Sequence, residues 1–214
     1  MLLVTSNSHK KEEFQRLAPE LSWQTLKEWG DEHQKDVQTD IEETGLSFVE
    51  NAVIKARAGW SQTGVLCIAD DSGLCVDALD GAPGIYSARY VEGTSKDRYM
   101  ALLKNLEGIA HQDRTAAFHC ALAICGLTLE QKSILNKLLP LAGLSWQDDC
   151  LIAQGLCPGW ISLEPFGEGG FGYDPVFNLA DGRSFASVSG QEKDKFSHRG
   201  NALRVLMQVS KIFS

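Results

Sequence analysis

The sequence lacks any long hydrophobic run. Nothing in it approaches the roughly 18 apolar residues that span a bilayer, and the opening MLLVTSN has neither a basic start nor the apolar length of a secretion signal. A membrane protein is therefore excluded as the first reading, and a soluble, cytoplasmic chain is expected. Repeats, low-complexity tracts and linkers are also missing. Excess positive charge is missing too: 20 Lys and Arg stand against 28 Asp and Glu, a net charge of -8. A long polyanion such as DNA or RNA is thus an unlikely partner, since that kind of binding rests on neutralised phosphates. A small anion remains possible, because local lysines, backbone amides or a metal ion can outweigh the global field. The six cysteines form no CxxC pair and no zinc spacing, and their apolar neighbours predict free thiols in a core under reducing conditions.

What the chain does have is a mixture of strand-like and helix-like segments in one domain over residues 1–214. MLLVTSN reads as a short strand with a polar end, followed by a helix from SHKKEEFQRL capped by Asn7 or Ser8. LSFVENAVIKARAGWSQTG is the clearest helix, capped by Thr44 or Ser47 and ended by Gly64. VLCIA then predicts a strand that stops at a DDSG turn. TAAFHCALAICGLTL reads as a strand or strand pair, CLIAQGLCPGWISLEP as two short strands and a turn. EQKSILNKLLPLAGLSWQDD is apolar but irregular. Leu203, Leu206 and Val209, spaced by three, give a final helix. The class is α/β or α+β with strand-end loops.

Five stretches carry residues suited to chemistry. The strand-to-helix turn Thr5–Lys10 (Thr5, Ser6, Asn7, Ser8, His9, Lys10) fits a phosphate, because a helix start presents free amides and a positive dipole. Serines stand there where glycines are usual. Asp70 and Asp71, at the end of a buried strand, need partners to be desolvated. They suit Mg²⁺, which takes one or two carboxylates together with substrate phosphates. Successive strand residues face opposite ways, so one aspartate is expected to do chemistry and the other to support the loop. The pair Glu42 and Glu43 in IEETG is either a second metal carboxylate or a solvated helix start. GEGGFGYDPVF offers Phe171 or Tyr173 as a flat face for a base, and EKDKFSHRG adds Lys193, Lys195, His198 and Arg199 as cations. Phosphate cradle, metal carboxylates, aromatic platform and cationic clamp together point to a nucleoside triphosphate.

TSNSHKKEEF, EETGLSFVENAVIKARA, IADDSGLCVDALDGAPGIYSARY, GGFGYDPVF and EKDKFSHRGNAL, in this order and over most of the chain, resemble the inosine triphosphate pyrophosphatase family, whose members are also called dITP/XTP diphosphatases. The resemblance implies an elongated α/β fold, with a mixed central sheet, flanking helices, two lobes and a deep cleft. It implies hydrolysis of noncanonical purine triphosphates (ITP, dITP, XTP) to monophosphate and pyrophosphate, with Mg²⁺, commonly in a homodimer. It assigns Thr5–Lys10 to the triphosphate, Glu42 and Asp71 to the metal, Asp71 also to the general base, and Lys55 to a phosphate. Ser72 is placed beside the substrate, Phe171 stacked on the purine, and Gly172, Tyr173 and Asp174 near it. Lys193, His198 and Arg199 complete the base and sugar pocket. The first motif departs from the family pattern: Ser6 and His9 stand where glycine is common, and a positive φ at Ser6 would be strained. Three alternatives differ in chemistry. A pyrophosphatase for other modified or standard nucleotides keeps the whole set, a nucleotide sensor needs no metal carboxylates, and an Asp-nucleophile phosphatase needs a DxD that DDSG lacks.

Overall fold

The computed structural model describes residues 1–213, the side chains of residues 140–142 excepted, so Ser214 of the expected domain lies outside the described residues. In chain order the elements are β1 (Leu2–Val4), α1 (Ser8–Leu17), β2 (Gln24–Thr25), α2 (Leu26–His33), α3 (Phe48–Thr63), β3 (Cys67–Val76), α4 (Ser95–Asn105), β4 (Thr115–Cys125), α5 (Leu129–Ala142), β5 (Leu144–Gln147), β6 (Cys150–Ile161), β7 (Phe177–Asn178), α6 (Gly190–Lys193) and α7 (His198–Met207). The strands form one sheet in the order β2-β1-β3-β4-β6-β5, with β7 also on β6. It is mixed: β1 runs parallel to β2 and β3, while β5 and β7 run antiparallel to β6. This is the α/β class that the sequence predicts. Among the described residues no helix is long and apolar enough to cross a membrane.

The chain divides into two compact units. The first comprises Met1–Asp71, Cys120–Gly155 and Gly200–Ser214. Its strands show the period of two: Leu3, Ile68, Leu122 and Ile124 join one core with Phe14, Leu135, Leu203 and Leu206 of three helices. Leu2, Val4, Cys67, Ala69 and Ala121 join the other with Leu26, Trp29, Ala52, Val53 and Ala56 of α2 and α3. Each sheet face is thus sealed by helices, as a near-continuous apolar strand requires. The second unit comprises Ser72–His119 and Leu156–Arg199, around Leu74, Leu102, Phe118, Phe177 and Phe185.

Several expectations are corrected. DDSG is not a turn: β3 runs straight through it to Val76, because both aspartates find cationic partners and the strand can stay buried. CLIAQGLCPGWI is a single strand of 12 residues, β6. Its Gly155, Pro158 and Gly159 do not break it. The irregular stretch holds α5, started by a Thr128–Gln131 capping box, and β5. Cys125 and Cys150 are disulfide-bonded rather than free, whereas Cys67, Cys75, Cys120 and Cys157 are free. The two ends of α3 fall where the sequence puts them, at Ser47 and Gly64.

Candidate active site

The candidate residues fall into two groups, one in each unit. In the first, Asn7 caps α1: its Oδ1 accepts the N–H groups of His9 at 3.0 Å and Lys10 at 3.4 Å, while Thr5 Oγ1 accepts the Asn7 N–H at 3.1 Å. Ser6, Asn7, Ser8 and His9 are exposed. With two amides already satisfied by Asn7, the loop offers an anion the helix dipole, two serine hydroxyls and Lys10. Among the described residues, positive φ outside glycine occurs at Gln34, Asp80 and Asp148. Ser6 is therefore unstrained and needs no glycine.

Asp70 and Asp71 point to opposite sides of β3, as strand geometry demands. Asp70 pairs with Lys10 of α1 and accepts the Cys120 thiol at 3.0 Å; Lys10 Nζ also reaches the Asp70 carbonyl at 3.3 Å. Asp71 pairs with Lys55 of α3 at 2.9 Å, and the same ammonium holds Glu43 at 2.5 Å. Burial pulls the Lys55 pKa down, but the two carboxylates outweigh it and the net direction is up. Lys55 is a fixed cation. Burial pushes Asp71 up to about 6, against the pull of Lys55. Only Oδ1 of Asp71 meets the lysine: Oδ2 is buried without a hydrogen-bond partner. Such an oxygen fits a hard cation. No three His, Cys, Asp or Glu side chains stand together as a metal cage among the described residues. A metal held by Asp71 and one glutamate of the loop before α3 would draw its remaining ligands from substrate and water, which is the Mg²⁺ habit.

The structure distinguishes the two glutamates. Glu42, expected on the metal, is exposed, while Glu43 reaches Lys55. Nothing in the spacing of EE separates them. Cys120 was hidden as well, since alternation with Phe118 reads as plain core.

The second group is built on the loop before β7. Asp174 is buried and its Oδ2 accepts the Phe171 N–H at 2.9 Å and Lys193 Nζ at 2.7 Å. Lys193 also stands 5.1 Å from the centre of the Phe171 ring and 4.8 Å from that of Phe185. The aromatic platform and the cation are thus set against each other by one carboxylate. A side chain on Gly170, whose φ is +74°, would place its Cβ 2.0 Å from Asp174 Oδ2, so the close approach there requires glycine. Gly172 also has positive φ, at +63°. Tyr173 turns inward: its hydroxyl donates to the Ser87 carbonyl at 2.9 Å, and burial raises its pKa. Ser87 Oγ in turn accepts the Leu74 N–H at 2.9 Å, tying the loop to β3. Arg199 is buried and donates to Ser72 Oγ at 2.9 Å. His198 stacks on Phe118, ring centres 4.9 Å apart.

A protein-family model described as the Ham1 family matches residues 1–209. The chain belongs to the Ham1 family. Among Ham1 relatives named dITP/XTP pyrophosphatase, that of Bacillus licheniformis is 46% identical over 170 residues, covering 78% of this chain and 77% of the relative. That of Coxiella burnetii is 39% identical over 212 residues, 98% of this chain and 95% of the relative. Two solved structures share the fold. The HAM1 protein from Coxiella burnetii has a TM-score of 0.79 at 38% identity, covering 98% of this chain and 97% of that one. The Staphylococcus aureus Ham1 protein has 0.76 at 30% identity with the same coverage.

Proposed function

We propose that this Ham1 chain is a nucleoside triphosphate pyrophosphatase that hydrolyses ITP, dITP and XTP to the monophosphate and pyrophosphate, and so cleanses the nucleotide pool. The observation that carries the reading is the buried Asp71 carboxylate, one oxygen engaged by Lys55 and the other without a hydrogen-bond partner. Relatives named for this activity supply the substrate class.

Each residue group has a defined part. Lys10, Lys55 and the first turn of α1 neutralise the phosphates. Mg²⁺ bound to Asp71, with Glu42 or Glu43 from the preceding loop, would add charge stabilisation at the phosphates. Asp71 orients a water for in-line attack and takes its proton, a role suited to a carboxyl lifted towards neutrality. Phe171 stacks on the purine. Lys193 and Arg199 can only donate, so they favour a 6-oxo purine: a 6-amino group offers them no acceptor. GTP shares the 6-oxo group and is not rejected by this contact. The homodimer and the cytoplasmic setting belong to the same proposal, and light scattering reads the first of them.

The test is product analysis with Mg²⁺ on ITP, XTP, dITP, GTP and ATP. Pyrophosphate from the first three, well above ATP, supports the reading. Free phosphate would indicate a phosphatase, equal turnover of ATP a general pyrophosphatase, and binding without products a sensor.

A further inference from the structure

Asn51 lies on α3 one helical turn before Lys55, fully buried. Its Oδ1 accepts the Gly45 N–H at 2.8 Å. A backbone N–H can meet only an acceptor, which fixes the orientation of the amide. Nδ2 is then left buried with no hydrogen-bond partner. The flanking contacts repeat the pattern. Leu46 N–H bonds Glu50 at 2.6 Å, and Glu43 bonds Lys55. A Cβ on Gly45 would fall 2.6 Å from Glu50 Cβ and 2.7 Å from Asn51 Oδ1. The segment 43–46, which carries Glu43, is therefore laid directly on α3, with Asn51 as its wholly buried anchor.

Two buried polar atoms are without partners on the elements that carry Lys55 and its carboxylate: a donor, Nδ2 of Asn51, one helical turn before Lys55 on α3, and an acceptor, Oδ2 of Asp71, whose Oδ1 Lys55 holds. Leaving such groups unmade is costly. A ligand that satisfies both must bring an anionic oxygen and a cation together, as a metal-bound polyphosphate does. We infer that Asn51 is a binding and positioning residue for the metal–triphosphate: Oδ1 fixes the segment that carries Glu43, and Nδ2 donates to an anionic oxygen of the bound ligand. This rests on the function proposed above.

Asn51→Asp and Asn51→Ala in the full chain separate the two halves of the amide. The readouts are Mn²⁺ binding followed by the free-ion EPR signal, kcat and KM for ITP with Mg²⁺, and the melting temperature. Asn51→Asp keeps the acceptor for Gly45. It is expected to bind Mn²⁺ no more weakly than wild type, while KM rises roughly tenfold or more, the size of one lost hydrogen bond to a charged group. Asn51→Ala loses both halves and is expected to weaken Mn²⁺ roughly tenfold as well. Wild-type KM and Mn²⁺ affinity in both variants, or a lower melting temperature with unchanged KM, overturns the inference. If Asn51→Ala does not fold, the KM of Asn51→Asp decides alone. A wild-type protein that releases no pyrophosphate from ITP overturns the proposed function instead, and the Mn²⁺ comparison still reads the loop.

Discussion

Exchanging each of the neighbouring aspartates for asparagine separates support from chemistry. Asp70→Asn leaves the Lys10 ammonium beside a neutral amide in a site where the Asp70 side chain is wholly buried and Lys10 is 16% exposed. Breaking a buried pair from one side costs about 3–5 kcal/mol. The partial access of Lys10 to water puts this case near the lower end, at about 3 kcal/mol. In a chain of this size each kcal/mol moves the melting temperature by about 2–4 °C, so a fall of about 6–12 °C is expected. Turnover in the folded fraction should survive, because Lys10 is still free to meet phosphate. Asp71→Asn differs in both respects. Lys55 retains Glu43 at 2.5 Å, so no cation is orphaned, and the carboxylate removed was itself held at a desolvation cost. Its stability should stay within about 1 kcal/mol of wild type. Its turnover should fall by about 10²–10⁴, the usual weight of a general base. Thermal melts and pyrophosphate release on the same preparations decide. Turnover damaged more in Asp70→Asn than in Asp71→Asn, with both folded, would refute the division of roles.

Two further outcomes follow from the geometry. In the metal-free protein the Asp71 carboxyl, followed by ¹³C NMR, should titrate near 6 rather than near 3.8. The native state then binds this proton more tightly than the unfolded chain, so the group's contribution to stability is full below about pH 4 and is lost as pH rises through about 6. A midpoint at or below 4 contradicts the burial argument. Gly170→Ala should drive Asp174 off the Phe171 N–H and Lys193, raising KM for ITP about tenfold or more with kcat changed less; unchanged KM would show that this carboxylate does not set the base platform.

Legibility differed between local and distant features. The caps at Asn7, Ser47 and Gly64 were readable because capping is local: one side chain, or one left-handed residue, within a few positions. The helix α7 was readable from Leu203 and Leu206, but it ends at Met207, so Val209 of the expected spacing lies beyond it. The end of the third strand was not, because a lone sequence shows Asp70 and Asp71 as unpaired charge. Only the fold brings Lys10 and Lys55 to them from 60 and 16 residues away. For the same reason Glu43 could not be told from Glu42, nor Cys120 from its apolar neighbours. Six apparently equivalent cysteines likewise gave no sign that Cys125 and Cys150 would meet across β4 and β6. The order of motifs around the site was visible throughout; which atom faces which was not.

The most direct test of the account is hydrolysis of ITP in ¹⁸O-labelled water with Mg²⁺. Water directed at the α-phosphorus puts the label in the inosine monophosphate and leaves the pyrophosphate unlabelled, and Asp71→Asn slows the incorporation by the same factor of about 10²–10⁴ as turnover. Label in the pyrophosphate, or incorporation undiminished in Asp71→Asn, would contradict it.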